Sequence, residues 1–181
     1  KMPYAERVLG NAYCNCPKLT KVNFSNLKGQ YNYLFVSSGV VEINVTNLVL
    51  KGTSSLFQGC RYLETIIGLD TVDTSQMTNM GNMFNGCWKL KTIDVSNFDT
   101  RNVTSMGGMF RNYGLGASYA ITTDIIGLEN FDTRNVTDMS MMFQGQKTVT
   151  SLNIGNWDTS KVTNMNAIFG ECYALESLDL S

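Results

Sequence analysis

The stretch FDTRNVTSMGGMF, residues 98–110, decides the fold, because it returns as FDTRNVTDMSMMF at residues 131–143. Further copies are VDTSQMTNMGNMF at 72–84 and WDTSKVTNMNAIF at 157–169. The final phenylalanines of the four copies are separated by 26, 33 and 26 residues. A fixed period of this length is the signature of a repeat protein. The longer step contains seven extra residues, after which the phase is restored, and we place this insertion at residues 111–124.

Shorter copies precede this array. The segment LFQGCRYLETI (56–66) matches AYCNCPKLTKV (12–22), and a weaker copy lies at 34–45. Seven anchor positions result: Tyr13, Phe35, Phe57, Phe84, Phe110, Phe143 and Phe169. We therefore interpret residues 1–181 as one repeat array, with turns of about 22 residues in 1–69 and of 26 residues in 70–181. The phase of the repeats at both ends suggests a fragment of a longer chain.

Each copy contains a pattern that is typical of a short helix. Val103, Met106, Met109 and Phe110 lie at i, i+3, i+6 and i+7, which places them on one helical face. A threonine stands where a cap would stabilise the first turn; the threonines are Thr78, Thr104, Thr137 and Thr163. Glycines stand where the helix is expected to end; they are Gly86, Gly145 and Gly170.

A strand is predicted after each helix. Leu90, Ile93 and Val95 show the apolar spacing, which recurs at Leu152 and Ile154. A helix and a strand in every 22–26 residues cannot bury their own apolar faces, whereas stacked copies can. The sequence thus predicts an α/β solenoid, similar to a leucine-rich repeat, with about seven turns that each contain a short helix and a parallel strand.

The consensus F/W-D-T-x-x-V-T-x-M-x-x-M-F-x-x-C-x-x-L-x-x-L-D-L-S resembles the BspA-type leucine-rich repeat of bacterial surface proteins. The resemblance covers residues 70–181, and the shorter copies at 12–69 are similar to the shorter repeats of that family. It implies a secreted or cell-surface protein with a role in adhesion. The insertion at 111–124 and the weak copies at 34–55 depart from the family pattern.

Two columns of reactive side chains each allow more than one interpretation. Cys16, Cys60, Cys87 and Cys172 share one repeat phase. They are expected to be buried thiols, because sulfurs from successive turns cannot converge on one zinc ion. A disulfide between Cys60 and Cys87, or an external partner for Cys14, is the alternative.

Aspartates form the other column: Asp73, Asp99, Asp132 and Asp158. Each is expected to close an Asx turn by accepting an amide bond from the residue two positions on. The alternative is a ladder of calcium sites, although each turn offers one carboxylate where calcium prefers six to eight oxygens.

The composition restricts the function. The chain has no histidine, which removes Ser-His and Cys-His catalysis, and its net charge of -1 disfavours a nucleic-acid surface. No apolar run is long enough to span a membrane. We expect no enzyme activity, no cofactor and no metal.

Candidate binding residues are those that depart from the repeat template or face outward. The insertion contributes Arg111, Tyr113 and Tyr119, since inserted loops often lie on the binding face of a solenoid. The position after the cysteine contributes Trp88 and Tyr173, and the outward strand face contributes Asp94, Asn153 and Asp179. The function expected from these features is noncatalytic adhesion to a protein or glycan on another cell or a host surface. The alternative is a stalk or spacer without a ligand.

Overall fold

The computed structural model describes residues 7–53, 55–112, 121–122 and 124–178. Over these residues the chain winds into a β-solenoid of about six turns with parallel strands. We call each turn a coil. The sequence predicted about seven turns; the seven aromatic anchors delimit six steps along the stack.

The strands lie on two faces of the solenoid. Their bounds are β1 Arg7–Gly10, β2 Lys21–Asn23, β3 Lys28–Asn32, β4 Glu42–Asn44, β5 Val49–Thr53, β6 Thr65–Ile67, β7 Asp73–Asn79, β8 Thr92–Asp94, β9 Asp124–Ile126, β10 Ser151–Leu152 and β11 Ser177–Leu178. The first face is a four-stranded sheet in the order β1-β3-β5-β7. The second face contains three sheets, β2-β4-β6, β8-β9 and β10-β11, and all pairings are parallel. The predicted parallel strands are confirmed on the second face, whereas the first face was not predicted.

The first face continues beyond β7 as single residues that bridge successive coils. Asn79 pairs with Ser105, Ser105 with Asp138, and Asp138 with Asn164, all in the parallel sense. One residue per coil thus extends the sheet to the last copy of the repeat.

The predicted helices were wrong. Over residues 80–87, alternate amides donate to the next coil: Met80 to Ser105, Asn82 to Gly107, and Phe84 to Met109, at 2.8–3.0 Å. An α-helix would instead bond each amide to the carbonyl four residues earlier. The described helical structure consists of two 3₁₀ turns, Leu69–Thr71 and Leu128–Asn130, and no helix in the described ranges is long and apolar enough to cross a membrane.

Left-handed residues explain how an apolar period of 3.6 arises without a helix. The residue two positions before the anchor has a positive φ in four successive coils, at Asn82, Gly108, Met141 and Ala167. A second left-handed residue follows the anchor by two positions, as at Gly86 (φ 77°) and Gly145 (φ 79°). These residues fold the chain into consecutive tight turns that place the side chains at i, i+3 and i+6 toward the core.

The threonines predicted as helix caps bond between coils instead. The Thr104 hydroxyl donates to the Thr78 carbonyl, the Thr137 hydroxyl to Thr104, and the Thr163 hydroxyl to Thr137, at 3.1–3.2 Å. The predicted stop glycines Gly86 and Gly145 are turn residues of the ladder, whereas in the last copy Glu171 takes the left-handed position in place of Gly170.

The core is a set of side-chain columns along the solenoid axis. The rings of Phe84, Phe110 and Phe143 stack with centroids 5.7 Å apart and almost parallel planes. Met77, Met80, Met83, Met106, Met109, Met139 and Met142 are fully buried. The prediction that most methionines form a core column is confirmed for these seven, whereas Met165 is 41% exposed.

The insertion leaves the register of the stack unchanged. The Phe110 amide donates to the Met142 carbonyl, and the Asn112 amide donates to the Gln144 carbonyl. The same pattern occurs one coil earlier, where the amides of residues 84 and 86 donate to the carbonyls of residues 109 and 111. Where the described chain resumes, the Ile121 amide donates to the Trp88 carbonyl at 3.0 Å. The repeating hydrogen-bond pattern is therefore the same before and after the insertion.

The cysteine column consists of free thiols. Cys60 and Cys87 are buried, as predicted, while Cys16 and Cys172 are partly exposed. The Cys87 thiol donates to the Phe57 carbonyl at 3.0 Å. Burial raises the pKa of Cys60 and Cys87 above the ordinary thiol value, so these thiols stay protonated and unreactive.

The left-handed turns can be tested by exchanging alanine and glycine within one column. We expect Ala167→Gly to leave the free energy of unfolding unchanged or to raise it by up to about 1 kcal/mol, because glycine adopts a positive φ without a penalty. Gly108→Ala should lower it by more than about 1 kcal/mol, since the new Cβ would crowd Asn82. Urea denaturation measures both. A helix would give the opposite signs.

The inter-coil threonine bonds can be tested at Thr100, which is 2% exposed. Its oxygen accepts the Asp132 amide at 2.7 Å and donates to the Asp132 carbonyl at 3.1 Å. Thr100→Val keeps the shape but leaves both groups unpaired, so we expect a loss of about 1–3 kcal/mol in urea denaturation. Thr104→Val is the matched control: its exposed site should give a smaller loss, and equal losses would contradict this role for Thr100.

Candidate recognition groove

A polar groove crosses the coils beside the end of the first face, with a volume of about 430 Å³. Its polar side chains include Asn79, Asn82, Ser105, Asp138, Ser140 and Arg111. Tyr33, which is 43% exposed, lies at one end. The groove is lined by residues on either side of three buried methionines, Met80, Met106 and Met139. The side chains of these three methionines lie in the core, whereas Met141 lines the groove.

Two glycines make the groove deep. A Cβ atom on Gly81 would lie 2.9 Å from the Asn79 Oδ1 atom, and one on Gly107 would lie 2.8 Å from the Asp138 Oδ2 atom. Larger residues at these positions would displace the side chains that line the groove. The space is therefore a consequence of residue choice at positions 81 and 107.

Asx turns fix the orientation of the lining side chains. Asn79 Oδ1 accepts the Gly81 amide at 2.7 Å, and Asp138 Oδ1 accepts the Ser140 amide at 3.0 Å. The second carboxylate oxygen of Asp138 lies 3.4 Å from the Ser105 hydroxyl. Within the described residues, the amide nitrogens of Asn79 and Asn82 donate no hydrogen bond to protein, which leaves amide donors and a carboxyl acceptor facing the groove.

Arg111 is the predicted binding residue that lies in the groove. Its Nε atom donates to the Gln144 side chain at 2.8 Å, which connects it to the next coil. Beneath it, Asn112 is buried and donates to Gln146 at 3.3 Å. The predicted binding residues Tyr113, Tyr119 and Asp179 lie outside the described residues.

Trp88 and Tyr173 each follow a cysteine, and a basic side chain of the preceding coil packs over each ring. The Arg61 guanidinium lies 5.0 Å from the ring centroid of Trp88, and the Lys147 ammonium lies 5.8 Å from that of Tyr173. Trp88 is half-buried, whereas Tyr173 is 74% exposed. They lie in the column that follows the cysteines and do not line the groove.

The predicted strip on the second face runs over three separate sheets and contains both polar and apolar side chains. Asp94 is the last residue of β8 and Asn153 directly follows β10; both are exposed, as is Asn23 at the equivalent position at the end of β2. Between them, Ile67 and Ile126 occupy the same column and are 42% and 45% exposed. The strip and the groove lie on different parts of the coil, so the structure does not bring the predicted binding residues together.

The aspartate column confirms the predicted Asx turns. The amides of Ser75, Arg101, Arg134 and Ser160 each donate to the aspartate two residues earlier, at 2.9–3.2 Å. Arg101 and Arg134 also pair with Asp99 and Asp132 through their side chains. Hydrogen bonds from the Arg134 side chain hold the pKa of Asp132 at about 2. Among the described residues, no group of three or more acidic or thiol side chains is placed to hold a metal ion.

The comparison with protein families agrees with the repeat. The family described as "Mycoplasma protein of unknown function, DUF285" matches residues 24–115 and again residues 115–181. This chain belongs to the DUF285 family. The two matches of the DUF285 chain meet at residue 115, within the insertion predicted at 111–124. No curated protein and no solved structure matches it.

Sequence reasoning missed most of the groove of this DUF285 chain. Asn79, Ser105, Asp138 and Asn164 occupy one position of the repeat, between an invariant threonine and an apolar residue. This position changes from copy to copy while the residues on either side of it stay the same, and that variation could have identified the groove. The helix prediction concealed it, because a helix would have directed these side chains differently.

The arginine–aspartate pairs of the DUF285 chain predict a pH dependence. Since the pKa of Asp132 is lower in the folded chain than its ordinary value near 3.9, its contribution to stability is present above about pH 4 and is lost as the pH falls toward 2. The melting temperature of Asp132→Asn should therefore fall less than that of the parent between pH 5 and pH 2. The difference should be a few degrees at most, because the pair is exposed.

The control for this experiment is Arg134→Gln, which keeps Asp132 and removes the side chain that lowers its pKa. This variant should also show a smaller drop in melting temperature than the parent. Equal drops in the parent and both variants would contradict the assigned pKa.

Proposed function

We propose that this chain is a noncatalytic recognition module whose polar groove binds a hydroxyl-rich ligand, a glycan, on a cell surface. The observation that carries the proposal is the groove itself. It crosses coils, so that a linear ligand lying along the solenoid axis would meet similar side chains at regular intervals.

The chemistry of the lining favours a glycan. Asn79 and Asn82 offer amide donors, Asp138 offers carboxyl oxygens as acceptors, and Ser140 offers a hydroxyl that can both donate and accept. Sugar hydroxyls can satisfy donors and acceptors at the same time. The exposed ring of Tyr33 adds an apolar surface with a polar tip at one end of the groove.

A noncatalytic role is supported by what the acidic side chains already do. Asp99, Asp132 and Asp158 accept turn amides, and hydrogen bonds lower the pKa of each. A general acid needs a pKa raised toward neutrality. These carboxyls are therefore suited to structure, and the chain has no histidine to take their place.

The cell-surface location rests on the resemblance to BspA-type leucine-rich repeats. The same resemblance supports adhesion to another cell or to a host surface. The balanced charge of the chain supports a ligand other than nucleic acid.

A second candidate function is a rigid spacer, and the stack of aromatic rings favours it. Phe84, Phe110, Phe143 and Phe169 form an unbroken column with neighbouring centroids 5.7–5.8 Å apart. Such a column would resist bending whether or not the groove is occupied.

Asp138→Asn separates these functions. Asparagine already makes the same Asx turn at positions 79 and 164, so the melting temperature should change little while the groove loses the negative charge of Asp138. We expect the parent to bind members of an array of mammalian and bacterial oligosaccharides, and Asp138→Asn to bind the same sugars about tenfold more weakly.

Asp158→Asn is the matched control, because it changes the same type of turn outside the groove, and it should bind like the parent. Equal weakening by both variants would contradict a role for the groove. Binding to purified extracellular-matrix proteins but to no sugar would replace the glycan by a protein partner. Binding to neither the sugars nor the matrix proteins would favour the rigid spacer as the function of this chain.

A further inference from the structure

The second face of the solenoid is interrupted between β6 and β8. β6 pairs with β4, and β8 pairs with β9, but β6 and β8 do not pair with each other. They nevertheless belong to successive coils, which are joined elsewhere: the Gly59 amide donates to the Asn85 carbonyl at 2.8 Å, and the rings of Phe57 and Phe84 stack at 5.2 Å. The coils therefore separate on one side.

Gly68 is the cause of the interruption. In regular coils the amide after the strand donates to the next coil, as Val45 does to Ile67 and Val95 does to Ile126, at 2.8–2.9 Å. Gly68 instead has a φ of 76° and begins the 3₁₀ turn Leu69–Thr71. A Cβ here would overlap Thr46 of the preceding coil. This segment therefore packs against the preceding coil and leaves the strand of the following coil without a backbone partner on this side.

The interruption opens a cleft of about 470 Å³, a volume that is typical of ligand pockets. Its apolar lining comes from Ile66, Leu69 and Leu90, and its rim carries the exposed carboxylates Glu64, Asp70 and Asp94. None of the described residues that line it has a basic side chain. The cleft is therefore apolar at its base and negatively charged at its entrance.

The backbone bordering the cleft is an open strand edge. The Thr65 amide and the Ile67 carbonyl bond to the coil of β4, so the polar groups of Ile66 point toward β8. On the opposite wall, the Lys91 carbonyl and the Val95 amide bond to the coil of β9. Thr92 and Asp94 consequently face β6, and the two walls do not form the pair of bonds that a parallel bridge requires.

A similar interruption after β9 is closed. Gly127 has a φ of 92° and begins the 3₁₀ turn Leu128–Asn130, within the same I-I-G-L sequence. There, the Trp157 Nε1 atom donates to the Leu128 carbonyl at 2.9 Å, and its ring stacks on Phe131. Phe98 occupies the corresponding position at the first interruption and has no polar atom to make this bond. The first cleft thus stays open.

We propose that the β6–β8 cleft binds an extended segment of a partner protein that carries lysine or arginine. The segment adds to the open edge at Ile66 or at Thr92 and Asp94 through main-chain hydrogen bonds. Its apolar side chains contact Leu69 and Leu90, and its basic side chains reach the carboxylates of the rim. This site is independent of the polar groove.

The test uses a fluorescein-labelled peptide in which lysine alternates with valine, measured by fluorescence anisotropy. Two further peptides separate the contributions: one carries glutamate in place of lysine, and the other carries N-methyl groups on alternate amides. We expect each of them to bind about tenfold more weakly than the parent peptide. Binding should also slow hydrogen exchange at the amides of Ile66 or Asp94.

Asp70→Asn tests the site on the protein. Its matched control is Glu129→Gln, at the same position of the closed interruption. Asp70→Asn should weaken peptide binding several-fold, and more so when combined with Glu64→Gln, whereas Glu129→Gln should bind like the parent. All three positions are exposed, so we expect all variants to fold.

Three results would overturn the proposal. Equal weakening by Asp70→Asn and Glu129→Gln would indicate nonspecific attraction. Equal binding of the N-methylated peptide would exclude strand addition. A concentration-dependent dimer in analytical ultracentrifugation that excludes the peptide would assign the cleft to a second copy of this chain.

Discussion

The structure depends on one constraint: each coil must satisfy the backbone polar groups of its neighbours. A short turn segment cannot do this internally, because its two left-handed residues prevent a helix. Alternate amides therefore bond to the next coil, in a pattern that is repeated from Met80 to Gly145. Once this register is set, identical positions stack above one another. The aromatic column, the buried thiols and both faces of strands follow from that stacking.

The polar composition is a second consequence of the same constraint. Asn, Thr and Ser make up 51 of the 181 residues. Threonine hydroxyls bond to carbonyls of the neighbouring coil, as Thr100 does to Asp132, and asparagine amides do the same, as Asn102 does to Ser75. Short polar side chains can reach across the spacing between coils. The solenoid is thus held together by side chains as well as by its strands.

The repeat, the phase of its insertion, the core columns and the Asx turns were predictable from the sequence, because each depends on which residues recur. The helices were predicted wrongly for a physical reason. The spacing of Val103, Met106 and Met109 fits one face of a helix and also fits consecutive tight turns. The available signal was glycine or asparagine two residues either side of the anchor, as at Asn82 and Gly86. The groove and the β6–β8 cleft depend on local packing around Gly107 and Gly68, which no periodicity encodes.

The undisturbed register across the insertion has an evolutionary consequence. Phe110 and Phe143 stack as closely as Phe84 and Phe110, although 33 residues separate the first pair and 26 the second. A coil can therefore differ in length by several residues and still make the same contacts with its neighbours, so that coils can be exchanged as units. Duplication or loss of one coil would lengthen or shorten the outer surface by one step and leave the packing of the core intact. Such a chain can diversify by recombination between its own repeats, as well as by point mutation.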